Sequence, residues 1–150
     1  AVAQMCHYGY EMDAGRLSET EREQVREQIE THSRIEPLLE TGDFYRLENP
    51  FEGTLCAWQL VQKDGSQSYV CAVIQRAEPN PRGKYIRLKG LLPEKYYRVQ
   101  PLGVTLRGDT LMHAGLPVLL PKAEEDNGPR QEEYAAAEFW LACVRRGEEE

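Results

Sequence analysis

LCAWQLVQK (Leu55 to Lys63) and SYVCAVIQ (Ser68 to Gln75) are two runs rich in β-branched and aromatic residues, joined through Asp64-Gly65. An Asp-Gly pair between such runs is a strong short-range signal for a β-hairpin, because glycine accepts the positive φ of a tight turn. If Gln62 stands opposite Gln67, then Cys56, Trp58 and Leu60 lie beside Tyr69, Cys71 and Val73 on one face. The other face carries Leu55, Ala57 and Val61 beside Val70, Ala72 and Ile74. A sheet with one wet side alternates apolar and polar residues, so a hairpin apolar on both faces must be covered on both. One cover is expected to be the second sheet of a sandwich, and the other a neighbouring domain.

Working outward, short strands are expected at Phe44 to Leu47, Tyr85 to Leu88, Tyr96 to Val99, Val104 to Leu106 and Val118 to Leu120. Turn formers separate them, among them Pro79-Asn80-Pro81, Gly90 and Pro93. Many short strands with frequent turns argue for an antiparallel sandwich. Lys122 to Glu133 is polar, acidic and turn-rich, as a mobile surface loop would be. Tyr134 to Arg146 contains good helix formers, but its position after several strands favours a closing strand from Ala137 to Val144.

Upstream of Gly42 the pattern changes. Ser18-Glu19-Thr20-Glu21 is a capping box, which starts a helix at Glu19. Val25, Ile29 and His32 or Ser33 make one narrow apolar stripe, suited to an outer helix laid on a larger body. Pro37 should disturb the helix near Ile35, and the end is expected by Thr41, with Gly42 suited to a left-handed cap. Ala1 to Asp13 (AVAQMCHYGYEMD) reads as a buried strand and its exit loop, too short to bury itself.

At 150 residues the chain can hold one ordinary domain but not a (β/α)₈ barrel of about 250. Its net charge is -7 and no basic cluster exceeds Arg145-Arg146, so neither nucleic acid nor anionic membrane is an expected partner. No apolar run reaches the roughly 18 residues of a membrane span and no leader opens the chain, so a cytoplasmic location is expected. Ala1 in place of Met is what a chain continuing upstream would give. Cys6, Cys56, Cys71 and Cys143 form no CxxC pair and read as reduced, mostly buried side chains. His7, His32 and His113 are equally scattered, so no metal, nucleotide or redox cofactor is implied.

Eight local sequences occur in one order: GYEMD (Gly9 to Asp13), GDFYRL (Gly42 to Leu47), NPFEG (Asn49 to Gly53), AWQ (Ala57 to Gln59), RAEPNP (Arg76 to Pro81), RLKGLLP (Arg87 to Pro93), YRV (Tyr97 to Val99) and GDTLMHAGLPV (Gly108 to Val118). Together they resemble the C-terminal portion of bacterial family 36 α-galactosidases, over Val2 to about Val118. The resemblance implies a mainly β fold: an antiparallel β-sandwich, residues 42–150, preceded by the last strand and helix of a (β/α)₈ catalytic barrel, residues 1–41. It also implies a parent enzyme that releases terminal α-linked galactose with retention, using two aspartates whose carboxyls stand about 5 Å apart. The Trp-Asp and Cys-Gly-Gly contexts of those aspartates are absent here. No catalytic, cofactor-binding or metal residue is therefore expected in this chain, and the fragment alone should be inactive. Its implied partners are the rest of the parent barrel, the galactoside that barrel binds, and further copies in a homo-oligomer.

Asp13, Asp43, Asp64, Asp109 and Asp126 are the aspartates present, and caps and turns are their expected roles. Tyr10 and Glu11 could approach a substrate, because the end of a barrel strand points to the site, while Glu11 could instead support the barrel from behind. Tyr96 and Tyr97, with Trp58, Trp140 and Phe51, admit a second reading, an independent carbohydrate-binding module whose rings stack on sugars. Inward-facing strand positions more often make such rings core.

Overall fold

In a computed structural model of the chain, which describes residues 1–6, 8–78, 83–119 and 133–145, the capping box closes as its residues require. The Ser18 hydroxyl accepts from the Glu21 amide at 3.3 Å, and the Glu21 carboxylate accepts from the Ser18 amide at 2.8 Å. Helix α1 then runs Glu19–Thr41 and passes through Pro37 without ending. Pro37 has no N–H to give Ser33, so the helix continues one backbone hydrogen bond short. Gly42 follows in extended conformation, with φ -78, so it is not the left-handed cap its residue type suggested. Its glycine is required by crowding instead: a Cβ there would stand 2.5 Å from the Leu38 carbonyl oxygen and 2.8 Å from that of Val61.

The remaining elements are β1 (Asp43–Glu48), β2 (Leu55–Val61), β3 (Gln67–Ile74), β4 (Lys84–Ile86), β5 (Tyr96–Gln100), β6 (Val104–Arg107), α2 (Gly108–His113), β7 (Leu116–Leu119) and β8 (Ala136–Val144). The larger sheet is antiparallel throughout, in the order β1-β2-β3-β8-β5-β6, and β4 pairs with β7 in a second sheet. The β2–β3 hairpin has the expected register, with Trp58 opposite Cys71, Leu60 opposite Tyr69, and the Gln62 amide donating to the Gln67 carbonyl at 2.9 Å. Within the helix-forming stretch, Ala136–Val144 does become a strand. It lies between β3 and β5, where two ladders outweigh local helix preference.

Both faces of the hairpin are covered, as their apolar character demanded, but both covers come from this chain. Leu55, Ala57, Val61, Val70, Ala72 and Ile74 pack under the small sheet and α2, against Ile86, Leu88, Leu111, Leu116 and Val118. On the opposite face Trp58, Leu60, Tyr69 and Cys71 pack under Ile35 and Leu38 of α1. The cover expected of a neighbouring domain is therefore supplied by the last turns of the preceding helix.

Three further expectations are corrected. The described residues of 1–13 form no strand: Val2–Met5 is a 3-10 turn, and Val2, Tyr10 and Met12 are exposed. A single strand with no neighbour cannot satisfy its backbone donors and acceptors, and among the described residues no strand lies alongside. Gly108 to His113 is a short helix rather than a plain turn. Cysteines among the described residues are free, but Cys6 is exposed and only Cys71 is fully buried. His7, Pro79 to Pro81, Leu120, most of the 122–133 loop, Asp126 and Arg146 lie outside the described residues. No described helix is long and apolar enough to cross a membrane.

Candidate functional site

The described aspartates are engaged where they stand. Asp13 caps the turn at Gly15, accepting from its amide at 3.0 Å, and pairs with Arg16 at 3.3 Å. Asp43 pairs with Lys63 beside the turn of the hairpin. Asp64 accepts from the Ser66 amide at 2.8 Å, and the hydrogen bonds from Ser66 hold its carboxyl below its ordinary pKa. Asp109 accepts from the Thr110 amide at 2.6 Å and pairs with Arg107 at 2.8 Å in the first turn of α2. Among the described residues no group of three or more His, Cys, Asp and Glu could hold a metal ion.

The buried ionisable groups are held neutral rather than activated. Burial pushes the Cys71 thiol up to about 12, with the Glu138 carboxylate across the strand pair adding to the effect, so it is no thiolate nucleophile at neutral pH. Burial also raises Tyr69, followed by the hydrogen bond that its hydroxyl donates to Glu138. Tyr10 and Glu11 are exposed. The Tyr10 hydroxyl shares the Gln28 side chain of α1 with Tyr8, which holds the front segment along the helix.

Five of the quoted sequences, GDFYRL, AWQ, RLKGLLP, YRV and GDTLMHAGLPV, are tied to one another. Gln59 of AWQ is fully buried on the otherwise apolar face. Its amide donates to the Ser68 hydroxyl at 3.0 Å and its carbonyl accepts from the Lys89 amide of RLKGLLP at 2.8 Å. Tyr97 of YRV, also fully buried, accepts from the Leu92 amide at 2.9 Å and donates to the Gly65 carbonyl at 2.7 Å in the hairpin turn. Gly108 of GDTLMHAGLPV lies so close to RLKGLLP that a Cβ would stand 2.1 Å from the Leu92 carbonyl oxygen. Gly90 has φ 67, and a Cβ there would meet the Tyr45 hydroxyl of GDFYRL at 2.7 Å. Gln59 was overlooked in the sequence, although a lone glutamine among Leu55, Ala57 and Val61 on one strand face was a readable signal.

The rings that admitted a sugar-binding face are dispersed. Tyr97 and Trp58 are buried, Phe51 stands 94% exposed on the β1–β2 loop, and Tyr96 and Trp140 are half-buried. Trp140 packs on Tyr69 with ring centroids 4.9 Å apart and carries the Arg34 guanidinium at 4.3 Å. Beside that stack α1 and the sheet leave a groove of about 510 Å³, lined by Ser33, Arg34, Gln67, Arg98, Gln100 and Trp140 among others.

The arrangement is one of packing ties and uncovered surface rather than converging reactive groups. The model of the glycosyl hydrolase family 36 C-terminal domain matches residues 55–141. The chain belongs to glycosyl hydrolase family 36. It is 38% identical over 132 residues to the bifunctional alpha-galactosidase/sucrose kinase AgaSK of Mediterraneibacter gnavus, covering 88% of this chain and 13% of that protein. With the alpha-galactosidase AgaA of Geobacillus stearothermophilus the identity is 40% over 125 residues, covering 83% and 17%. The solved family 36 alpha-galactosidase AgaB of Geobacillus stearothermophilus superposes with a TM-score of 0.83 at 34% identity, over 95% of this chain and 18% of that one. This family 36 chain thus spans less than a fifth of these relatives, and the match falls on their C-terminal domain. Several of the quoted sequences are places where different segments of the chain meet, which is a reason for their order and spacing to carry that signal.

Proposed function

We propose that this chain is the non-catalytic C-terminal portion of a retaining α-galactosidase that hydrolyses terminal α-linked galactose, with residues 1–41 belonging to its barrel and 42–150 forming the sandwich. The observation that carries the reading is the first half of α1. It extends past the sheet with Ile29 exposed, and the front segment bound to it exposes Val2, Tyr10 and Met12. That apolar surface fits a seat on a larger body, and the relatives supply one: proteins named as alpha-galactosidases of which this chain covers 13% to 17%. The local engagement of the described aspartates supports a structural part over a chemical one. In this reading the domain stabilises the barrel by clamping its last helix.

The test compares the purified 150-residue polypeptide with the longer polypeptide that carries it, on p-nitrophenyl α-galactoside. The short form is expected to give no turnover, and the long form to hydrolyse with retained anomeric configuration. Turnover by the pure short form would sink the proposal, as would a long form inert on α-galactosides.

A further inference from the structure

Two exposed rings stand at positions that local chemistry assigns to other residues. Tyr134 is the one non-glycine residue with a positive φ among the described residues, at 65°. Glycine takes that conformation without strain, whereas a bulky side chain there is an outlier. The sheet holds the position: the Tyr134 amide donates to the Ile74 carbonyl at 2.6 Å, and the Ile74 amide donates to the Ala135 carbonyl at 3.0 Å. The ring offsets none of that strain by burial, since the residue is 77% exposed. Phe51 is more exposed still, at a turn that closes without its ring. The Asn49 side chain accepts the Phe51 amide at 3.1 Å, and the Asn49 carbonyl accepts the Glu52 amide at 3.2 Å. A polar residue would serve that turn as well. Local rules broken with no gain inside the fold mark places where function sets the residue.

Both rings belong to one end of the molecule, where β2 begins and β3 ends. There the Gln75 amide donates to the carbonyl of Thr54, three residues after Phe51, at 2.9 Å, next to the Ile74 that holds Tyr134. Lys84 reaches the same junction, donating to the Thr54 hydroxyl and pairing with Glu78 at 3.0 Å. The Thr54 hydroxyl in turn donates to Glu78 at 3.2 Å. Tyr85, beside Lys84, is a third exposed ring. Among the described residues none of the three joins a ring pair or either core cluster.

Rings that do not stack on one another, set about an ion pair whose charges offset each other, suit a ligand that alternates C–H faces with hydroxyls. A protein surface would be met better by one continuous apolar patch. We infer that this end of the sandwich binds a neutral oligosaccharide, with Tyr134 and Phe51 stacking on pyranose faces and Lys84 and Glu78 bonding the hydroxyls. The site differs from the ring set around Trp58 and Tyr97, and it stands whether or not the longer polypeptide hydrolyses a galactoside.

The test titrates the purified 150-residue chain with raffinose and with cellotriose by isothermal calorimetry, beside Tyr134→Gly and Phe51→Ser. Saturable binding of at least one sugar is expected, and each variant should weaken it at least about tenfold. Neither variant should lower the thermal midpoint by as much as about 5 °C, because glycine relieves the backbone at 134 and neither ring is packed. A larger fall would make the ring structural and overturn the inference. Absence of saturable binding for both sugars overturns it too, as does binding that both variants keep. Hydroxyl-radical oxidation of the two rings gives the last check: rings shielded in the longer polypeptide without sugar belong to a domain contact, which also overturns the inference.

Discussion

Ile35 and Leu38 in the last turns of α1 are 0% and 2% exposed, whereas Val25 is half-buried and Ile29 is 49% exposed in the turns before them. Both pairs belong to one helix of 23 residues, about 35 Å long, with a single capping box and no break at Pro37. The difference is what each half finds beside it. The second half meets Trp58, Leu60, Tyr69 and Cys71 on the sheet and becomes core; the first half meets the short front segment. Helix periodicity specifies which residues point one way, and the neighbouring surface decides whether that direction is inside.

Substitutions can break or sharpen this contrast. Ile35→Ala removes a fully buried side chain between helix and sheet and should cost about 2–5 kcal/mol in denaturant unfolding of the 150-residue chain, while Ile29→Ala should stay within about 0.5 kcal/mol. Equal costs would erase the distinction between the halves. In the longer polypeptide Ile29→Ala should become costly, which would place the missing neighbour on that half. Gln59→Leu, at the sheet's opposite face, leaves the buried Ser68 hydroxyl and the part-buried Lys89 amide without their partner, at about 1–3 kcal/mol in all. A neutral result would mean that water replaces the glutamine.

Smaller effects test the edges of the helix. Arg34→Ala removes the cation over Trp140, for about 0.5–1 kcal/mol, and should shift the tryptophan emission. At the other end, the hydrogen bonds from Ser18 lower the Glu21 carboxyl below its ordinary value. A group with a depressed folded pKa adds stability above its unfolded pKa and loses it as pH falls through the folded one. Acidification from pH 6 should therefore fray the first turn of α1, read as faster amide exchange at Glu21 and Arg22, before the Ile35 region responds. Simultaneous loss at both ends would show that the halves unfold as one unit.

The candidate site divides along similar lines. Asp13 and Asp64 were legible as turn residues because a carboxylate two positions before a free amide closes a local ring, and Asp43 ion-pairs beside a helix end. The polar ties of Gln59 to Lys89 and of Tyr97 to Gly65 were not, since those partners are 30 and 32 residues away. Helix α2 was missed for a related reason. Six residues are too few to nucleate a helix unaided, and this one forms because Leu111 is buried and Gly108 lies against Leu92. The apolar mixture of Ala1 to Asp13 misled in the opposite direction, suggesting a strand where none of the described strands lies alongside to complete its hydrogen bonds.

The sequence by itself determined the start of α1, the hairpin with its register, the strand segments and the need to cover both hairpin faces, because capping, turn chemistry and alternation act between near neighbours. The tertiary structure alone decided that β8 closes the sheet between β3 and β5, that the second cover is α1, and which apolar residues stay outside. Those outcomes depend on which distant surfaces meet, and one segment's periodicity holds no record of its partner.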